Sequence, residues 1–359
     1  MYIPMNTFLH ADLLLGDGSA NSFSGKVLSF GELLLRITPD SEGQWLQDNS
    51  LPVYIGGAEL NVATALALWD IPSSYFTALP QNDLSDQIVA HLQNKSLDLS
   101  QVCYQGSRIG LYFLTKGQDL KHNALIYDRA HSAFAELKVG MIDWDNVLDG
   151  VSWFHFSAIC PAIGQNVADV CIEALRAASR KGIIISVDLN YRSKLWQYGK
   201  APTDIMPELV QYCDIVMGNI WAAELMLNIP LTTDIHEEGQ KSIYLKESQN
   251  ISEEIQKRFP KCKVVANTFR FDAEQGIDYY TTLYTDKRFY VSKEYSATHI
   301  VDKVGSGDCY MAGLIYGFYH NWHPQQTLEF ATAAAYTKLF VNSDATNKSV
   351  EEIKKAIQA

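Results

Sequence analysis

The chain has 359 residues, 47% hydrophobic and 19% charged, enough for one large domain with an appendage or for two modest ones. A formal net charge of −12 argues against a nucleic-acid partner, which needs a basic face. It leaves room for a small anionic ligand, which needs only a few local cations. None of the six cysteines is spaced as CxxC and no histidines stand as HExxH, so neither a zinc knuckle nor a redox pair is expected, and the cysteines read as buried free thiols of a reducing cytosol.

In chain order, residues 1–25 read as an extension. They lack a basic start, and the apolar run "ADLLL" is too short for a signal peptide or a membrane span. No later stretch is long and apolar enough to cross a bilayer, so a cytoplasmic protein without a membrane partner is expected. "KVLSFGELLL" (26–35) predicts a buried first strand. Gly56-Gly57 then opens a helix running through Leu68. "SSYFTALP" predicts a strand and "DLSDQIVAHLQNKS" a helix. From about 102 to 128 the pattern becomes rich in Tyr, Phe and Ile, with a polar turn "KGQDLKHN" at 116–123, and reads as a hairpin.

Alternation then resumes. Strands are expected at "VSWFHFSAI", "IIISVDLN", "DIVMGN" and "KCKVVANT". The helices between them are "QNVADVCIEALRAASRKG", closed by Gly182, then "DIMPELVQYC", about 219–228, and a polar stretch around "SEEIQKRF". "DYYTTLYTDKRFYVSKEY" reads as a hairpin with an Asp-Lys turn, and helices follow 307, 324 and 349. Repeated strand–helix alternation predicts an α/β fold, a mainly parallel central sheet covered on both faces. The Tyr-rich extended segments at about 36–55 and 102–130 predict a small β-sheet lid. Ligands bind beyond the C-terminal strand ends in such folds, where Gly56-Gly57, Asn190 and Asn219 fall.

"VDKVGSGDCYMAG" (301–313) joins an extended segment to an apolar helix. It is not GxGxxG, since Tyr310 stands where the third glycine belongs, and it is not GxxxxGK[ST]. What remains is a helix N-terminus whose free amides, uncovered at Gly305 and Gly307, favour an anion. Asp308 in that first turn is either a plain cap or a base. A carboxylate beside an anion hole is what phosphoryl transfer to an alcohol requires: the base takes the hydroxyl proton and the amides take charge on the phosphoryl oxygens.

Asp302-Lys-Val-Gly-Ser-Gly-Asp308 resembles the C-terminal signature of the ribokinase-like (PfkB) sugar kinases, and Gly56-Gly57-Ala-Glu-Leu-Asn61 their N-terminal one. The resemblance covers roughly 27–345 and is greatest to 2-keto-3-deoxygluconate kinases, through "SFGELLLRITP", "YDRAHSA" and "DLNYRSKLW". It implies a three-layer α/β/α body at 26–359 with a β lid. The implied reaction is ATP-dependent phosphorylation of the terminal hydroxyl of a sugar acid, with Asp308 as base and the amides of Gly305, Ser306 and Gly307 as anion hole.

The same resemblance implies Gly56, Gly57, Asn61, Tyr112, Tyr127, Arg129 and Arg192 around the sugar. For the nucleotide it implies Asn190, Asn219, Thr268, Arg270 and Asn342, with magnesium bridging the phosphates near Asn219 and Glu224. The chain departs from the family at "GNIWAAE", where Ala222 replaces the acid three residues after Asn219, at "ANTFRF", and at "PQNDLSD". The two arginines also suit an anionic sugar on chemical grounds, since a guanidinium forks onto a carboxylate; the alternative is pairing with Asp128 or Asp188. Asp302 is expected either to help hold a monovalent cation or to cap its own loop. Two other functions stay open: kinase action on a neutral sugar such as fructose, and sugar sensing without catalysis. An apolar lid would suit a homodimer with lids packed together.

Overall fold

The computed structural model describes residues 24–39, 45–46, 49–115, 125–232, 240–273 and 276–358. Residues 1–23 of the expected extension and the expected turn at 116–123 lie outside them. The strands in chain order are β1 (Lys26–Phe30), β2 (Leu34–Ile37), β3 (Val53–Gly56), β4 (Ser73–Phe76), β5 (Ala78–Leu79), β6 (Cys103–Tyr104), β7 (Gly110–Phe113) and β8 (Ile126–Asp128). There follow β9 (Val151–Ser157), β10 (Ile184–Asp188), β11 (Ile215–Gly218), β12 (Val264–Ala273), β13 (Gly276–Thr285), β14 (Arg288–Val291) and β15 (Tyr295–Ala297).

The large sheet has nine strands in the order β14-β13-β12-β11-β10-β9-β1-β4, with β15 also paired to β13. From β4 to β12 every pairing is parallel; β13 joins β12, β14 and β15 antiparallel. Its central strands carry apolar side chains toward both faces, as parallel sheets under two helical layers must. Leu28, Phe154 and Ile185 belong to one apolar cluster, and their neighbours Val27, Trp153 and Ile184 to the cluster on the other face. This two-residue alternation places a helical layer on each side.

The small sheet has the order β3-β2-β7-β8. Two boundaries differ from expectation. The run 26–35 enters two strands, because the chain leaves the large sheet, where β1 pairs with β4 and β9, for the small one, where β2 pairs with β3 and β7; at Gly31, just after β1, a Cβ would lie 2.1 Å from the Glu59 carboxylate. Residues 103–104 are not part of the small sheet: Cys103 and Gln105 donate to the carbonyls of Thr77 and Leu79, so β6 pairs with β5. The hairpin at 278–295 turns on Asp286 and Lys287, both left-handed (φ 51° and 59°), the twist that a two-residue connection requires.

The closing helix Ser306–Tyr319 is buried nearly all round, as its apolar sequence demands. It approaches Pro324–Lys338 so closely that a Cβ on Gly313 would lie 2.5 Å from Ala331 Cα. All six cysteines are unpaired, and all but Cys103 are buried. No helix among the described residues is long and apolar enough to cross a membrane.

Candidate active site

A cavity of about 790 Å³ opens between the C-terminal ends of the large sheet's strands and the small sheet. Two glycine turns shape it. Gly57 has φ 141°, and a Cβ there would sit 2.6 Å from the Glu32 carbonyl oxygen. Gly305 has φ 77°, and a Cβ there would sit 1.8 Å from the Asp344 carbonyl oxygen. Both are conformations and approaches that only glycine allows. The helix starting at Ser306 therefore presents its first amides to the cavity, while the Ser306 hydroxyl turns away to donate to Ala335 O at 3.1 Å.

The two signatures meet here. Asn61 Nδ2 donates to Asp308 Oδ2 at 2.7 Å, a contact across 247 residues, and leaves Asn61 Oδ1 buried without a donor among the described residues. Burial pushes Asp308 up to about 7, against the Asn61 hydrogen bond; the Glu59 and Asp344 charges add to the rise and Arg192 opposes it. The carboxyl thus titrates near neutrality, where a general base is most effective.

Three acids to which the sequence reading gave no place in the site also line the cavity: Asp188, Glu59 and Glu32. Asp188, at the end of β10, is pushed up to about 8 by burial and then by the Asp308 charge. Glu59 is fully buried and raised by burial; it accepts from Ser157 N at 3.0 Å, from the Ser157 hydroxyl and from Cys160 Sγ. Their signals were present. Glu59 stands inside the Gly-Gly…Asn motif, and Asp188 opens "DLNYRSKLW".

Gly57, Asn61, Tyr112, Tyr127, Arg129 and Arg192 all line the cavity, as do Asn190, Asn219, Thr268, Arg270 and residues 305–308. Their commitments differ. Arg129 gives Nε and Nη2 to Glu32 Oε2, both at 2.6 Å, so its guanidinium is engaged by a protein carboxylate, and that carboxylate is neither Asp128 nor Asp188. Asp128 pairs instead with Arg108 at 2.7 Å. Arg192 donates Nη1 to the Tyr191 carbonyl, and its Nε is buried without an acceptor among the described residues. Tyr112 gives its hydroxyl to Asp344. Asn219 caps the helix Ile220–Leu227 through Oδ1, which accepts from Ala222 N at 2.8 Å.

Four expected residues fall outside the cavity lining. Gly56 faces Asp344, where a Cβ would meet the carboxylate at 2.3 Å. Glu224 and Asn342 are exposed to solvent; Glu224 follows Ala222 on the outward face of its helix, and Asn342 lies on the turn after Lys338. Asp302 is buried, with Oδ2 held by Arg36 at 2.8 Å and Oδ1 accepting from Val304 N at 2.9 Å. It caps its own loop, and the cation beside it is a guanidinium. Among the described residues no three His, Cys, Asp or Glu side chains converge on a metal position.

The pfkB family carbohydrate kinase profile matches residues 24–350. Among solved structures, the 2-dehydro-3-deoxygluconokinase of Thermotoga maritima superposes with a TM-score of 0.84 at 33% identity, covering 93% of this chain and all of that one. A 2-dehydro-3-deoxygalactonokinase of Haloferax volcanii is 24% identical over 338 residues, 93% of this chain and 97% of its own. A 5-dehydro-2-deoxygluconokinase of Geobacillus kaustophilus is 27% identical over 286 residues, 79% of this chain and 78% of its own. Since the match takes in both glycine turns, the small sheet and the large one, the chain belongs to the pfkB family of carbohydrate kinases.

Proposed function

We propose that the protein transfers the γ-phosphoryl group of ATP to the terminal hydroxyl of a 2-keto-3-deoxy sugar acid of the gluconate or galactonate type. The observation that carries this reading is the meeting, in one cavity, of Asp308 titrating at about 7, the amides behind Gly305, and the unengaged Nε of Arg192. Arg192 takes the sugar carboxylate, a charge-assisted contact that the buried nitrogen lacks among the described residues. Asn61 Oδ1 accepts from a sugar hydroxyl. Asp308 removes the proton of the attacking hydroxyl as its oxygen bonds to the γ-phosphorus and the bond to the β–γ bridging oxygen breaks. The amides of 305–308 and the helix N-terminus offset charge on the phosphoryl oxygens.

A ribokinase II of E. coli with the same fold is solved with ATP and Mg2+, and a fructokinase of Xylella fastidiosa with the same fold holds ATP. The donor set suits magnesium, which takes one or two carboxylates and completes its shell with phosphates and water. Asp188 would hold it with the phosphate oxygens, because both oxygens of Glu32 are engaged by Arg129 and Ser132, Glu59 is fully buried, and Glu224 is outside the cavity lining. Once bound, the ion neutralises phosphate charge. Asn190, Asn219, Thr268 and Arg270 are proposed to hold the nucleotide's polyphosphate.

An ATP-coupled assay on 2-keto-3-deoxygluconate, 2-keto-3-deoxygalactonate and fructose tests the reading. A kcat/KM at least tenfold higher for the acids supports it. Equal or better use of fructose sinks the acid-sugar reading and favours the neutral-sugar one, which the commitment of Arg129 to Glu32 motivates. Val53 and Ile126, on the outer strands β3 and β8, are 57% and 56% exposed, and we propose them as the surface on which two small sheets pair; a monomeric mass by light scattering would refute this.

A further inference from the structure

The described residues hold one dense group of buried charges outside the cavity lining. Arg36, on β2, is 1% exposed, and its Nη2 lies 2.8 Å from Asp302 Oδ2 and 2.7 Å from Asp344 Oδ1. Tyr112, on β7, donates to Asp344 Oδ2 at 2.6 Å. The Arg36 guanidinium also lies over the ring of Tyr54, on β3, 4.5 Å from its centroid. Two of the four strands of the small sheet thus reach two carboxylates that belong to the body, and a third, β3, packs on the bridging guanidinium. Lys338, fully buried, is a second cation; burial lowers its pKa while Asp302 and Asp344 hold it up.

Both carboxylates bracket the turn that carries the anion-hole amides. Asp302 caps that turn at Val304 N. The Asp344 carbonyl touches Gly305 so closely that no Cβ fits. Val301 N and Asp302 N both donate to Leu339 O, at 2.8 and 3.2 Å. The turn is therefore held between the small sheet on one side and segment 335–344 on the other. A buried ion pair returns little net stability, since desolvation offsets most of the attraction. Its geometric demand on the groups around it is the stronger effect.

We propose that Arg36 is a positioning residue for phosphoryl transfer: by bridging Asp302 and Asp344 it sets the Gly305–Asp308 turn from the small sheet, so that sheet and turn hold one relative position. The inference rests on the reading of Asp308 as base. A displacement of about 1 Å at reacting groups costs on the order of a hundredfold in rate.

The test compares Arg36→Met and Arg36→Lys with the full-length wild type, below the melting temperature of each. For Arg36→Met, kcat falls about a hundredfold, sugar KM stays within about threefold, and Arg36→Lys recovers part of the loss. Amide exchange speeds up in peptide 301–308 of both variants and stays unchanged in β9, β10 and β11. Wild-type kcat with only a lower melting temperature overturns the proposal, as does faster exchange spread over the large sheet. A raised KM with intact kcat also overturns it. If Arg36→Met does not fold, Arg36→Lys alone decides: wild-type kcat in that variant overturns the proposal. Asp308→Asn is assayed in parallel. If it keeps turnover, the base assignment falls by itself; if it is inactive while both Arg36 variants are normal, only the positioning role falls.

Discussion

Asp308 is 8% exposed, and its titration near 7 comes chiefly from burial. A base works deprotonated, so kcat/KM should fall as pH drops through about 7, with a slope of one proton. Asn61→Ala removes the hydrogen bond that lowers this pKa and should move the acid limb upward. A limb that stays in place in the variant separates Asn61 from the titrating group. Asp308→Asn should abolish turnover while sugar affinity, read by calorimetry, stays near wild type. Arg192→Ala should weaken binding of the acid sugar by roughly 10- to 100-fold, the range of a lost charge-assisted contact, and leave fructose affinity almost untouched.

The same raised carboxyls bear on stability. The pKa of Asp188 is about 8 in the folded state and about 4 in an unfolded chain. Its contribution is therefore full below pH 4 and is lost as pH rises toward 8. Asp188→Asn should flatten the fall in unfolding midpoint between pH 5 and 8, measured by urea denaturation without nucleotide or metal. An unaltered slope would show that Asp188 is ionised throughout this range.

At the scale of elements, the closing pair of helices depends on contacts that a single methyl would break. A Cβ at Gly313 collides with the Ala331 backbone at 2.5 Å, so Gly313→Ala should cost about 1–3 kcal/mol through overpacking, with the urea midpoint lowered and the m-value unchanged. That helix also shows why some of the site was readable and some not. Gly305, Gly307 and Asp308 announce themselves because a tight turn with a first-turn acid is local chemistry. The placement of Glu224 was misread for a local reason too. Once Asn219 caps the helix at Ala222, Glu224 falls on its outward face, and only the cap geometry decides which face that is. The splitting of the run 26–35 came from strands that are not its neighbours in sequence, β4 and β9 on one side and β3 and β7 on the other.

At the scale of the whole molecule, the cavity is shared between two sheets: Tyr112 and Tyr127 come from the small one, and Asp188, Asn219 and Asp308 follow strands of the large one or its closing loop. A bound sugar acid should therefore slow amide exchange in β7 and in peptide 305–308 together. Protection confined to one sheet would mean that the ligand does not bridge them. Strand–helix alternation, the Tyr-rich interruption and the two glycine signatures were enough for the sequence alone to determine the α/β class, the separate small sheet and the identity of the first turn of the closing helix. All of these are periodic or contiguous patterns. Which ion meets which was decided only by the tertiary structure. Arg129 meets Glu32 across 97 residues, Arg36 meets Asp302 across 266, and Asn61 meets Asp308 across 247. Periodicity tells which side of an element is buried, but the pairing of two buried charges depends on how distant elements are brought together. For that reason the sequence left Arg129 between a substrate carboxylate and a protein acid, and Asp302 between a cation and its own loop, until Glu32, Arg36 and Val304 N were in view.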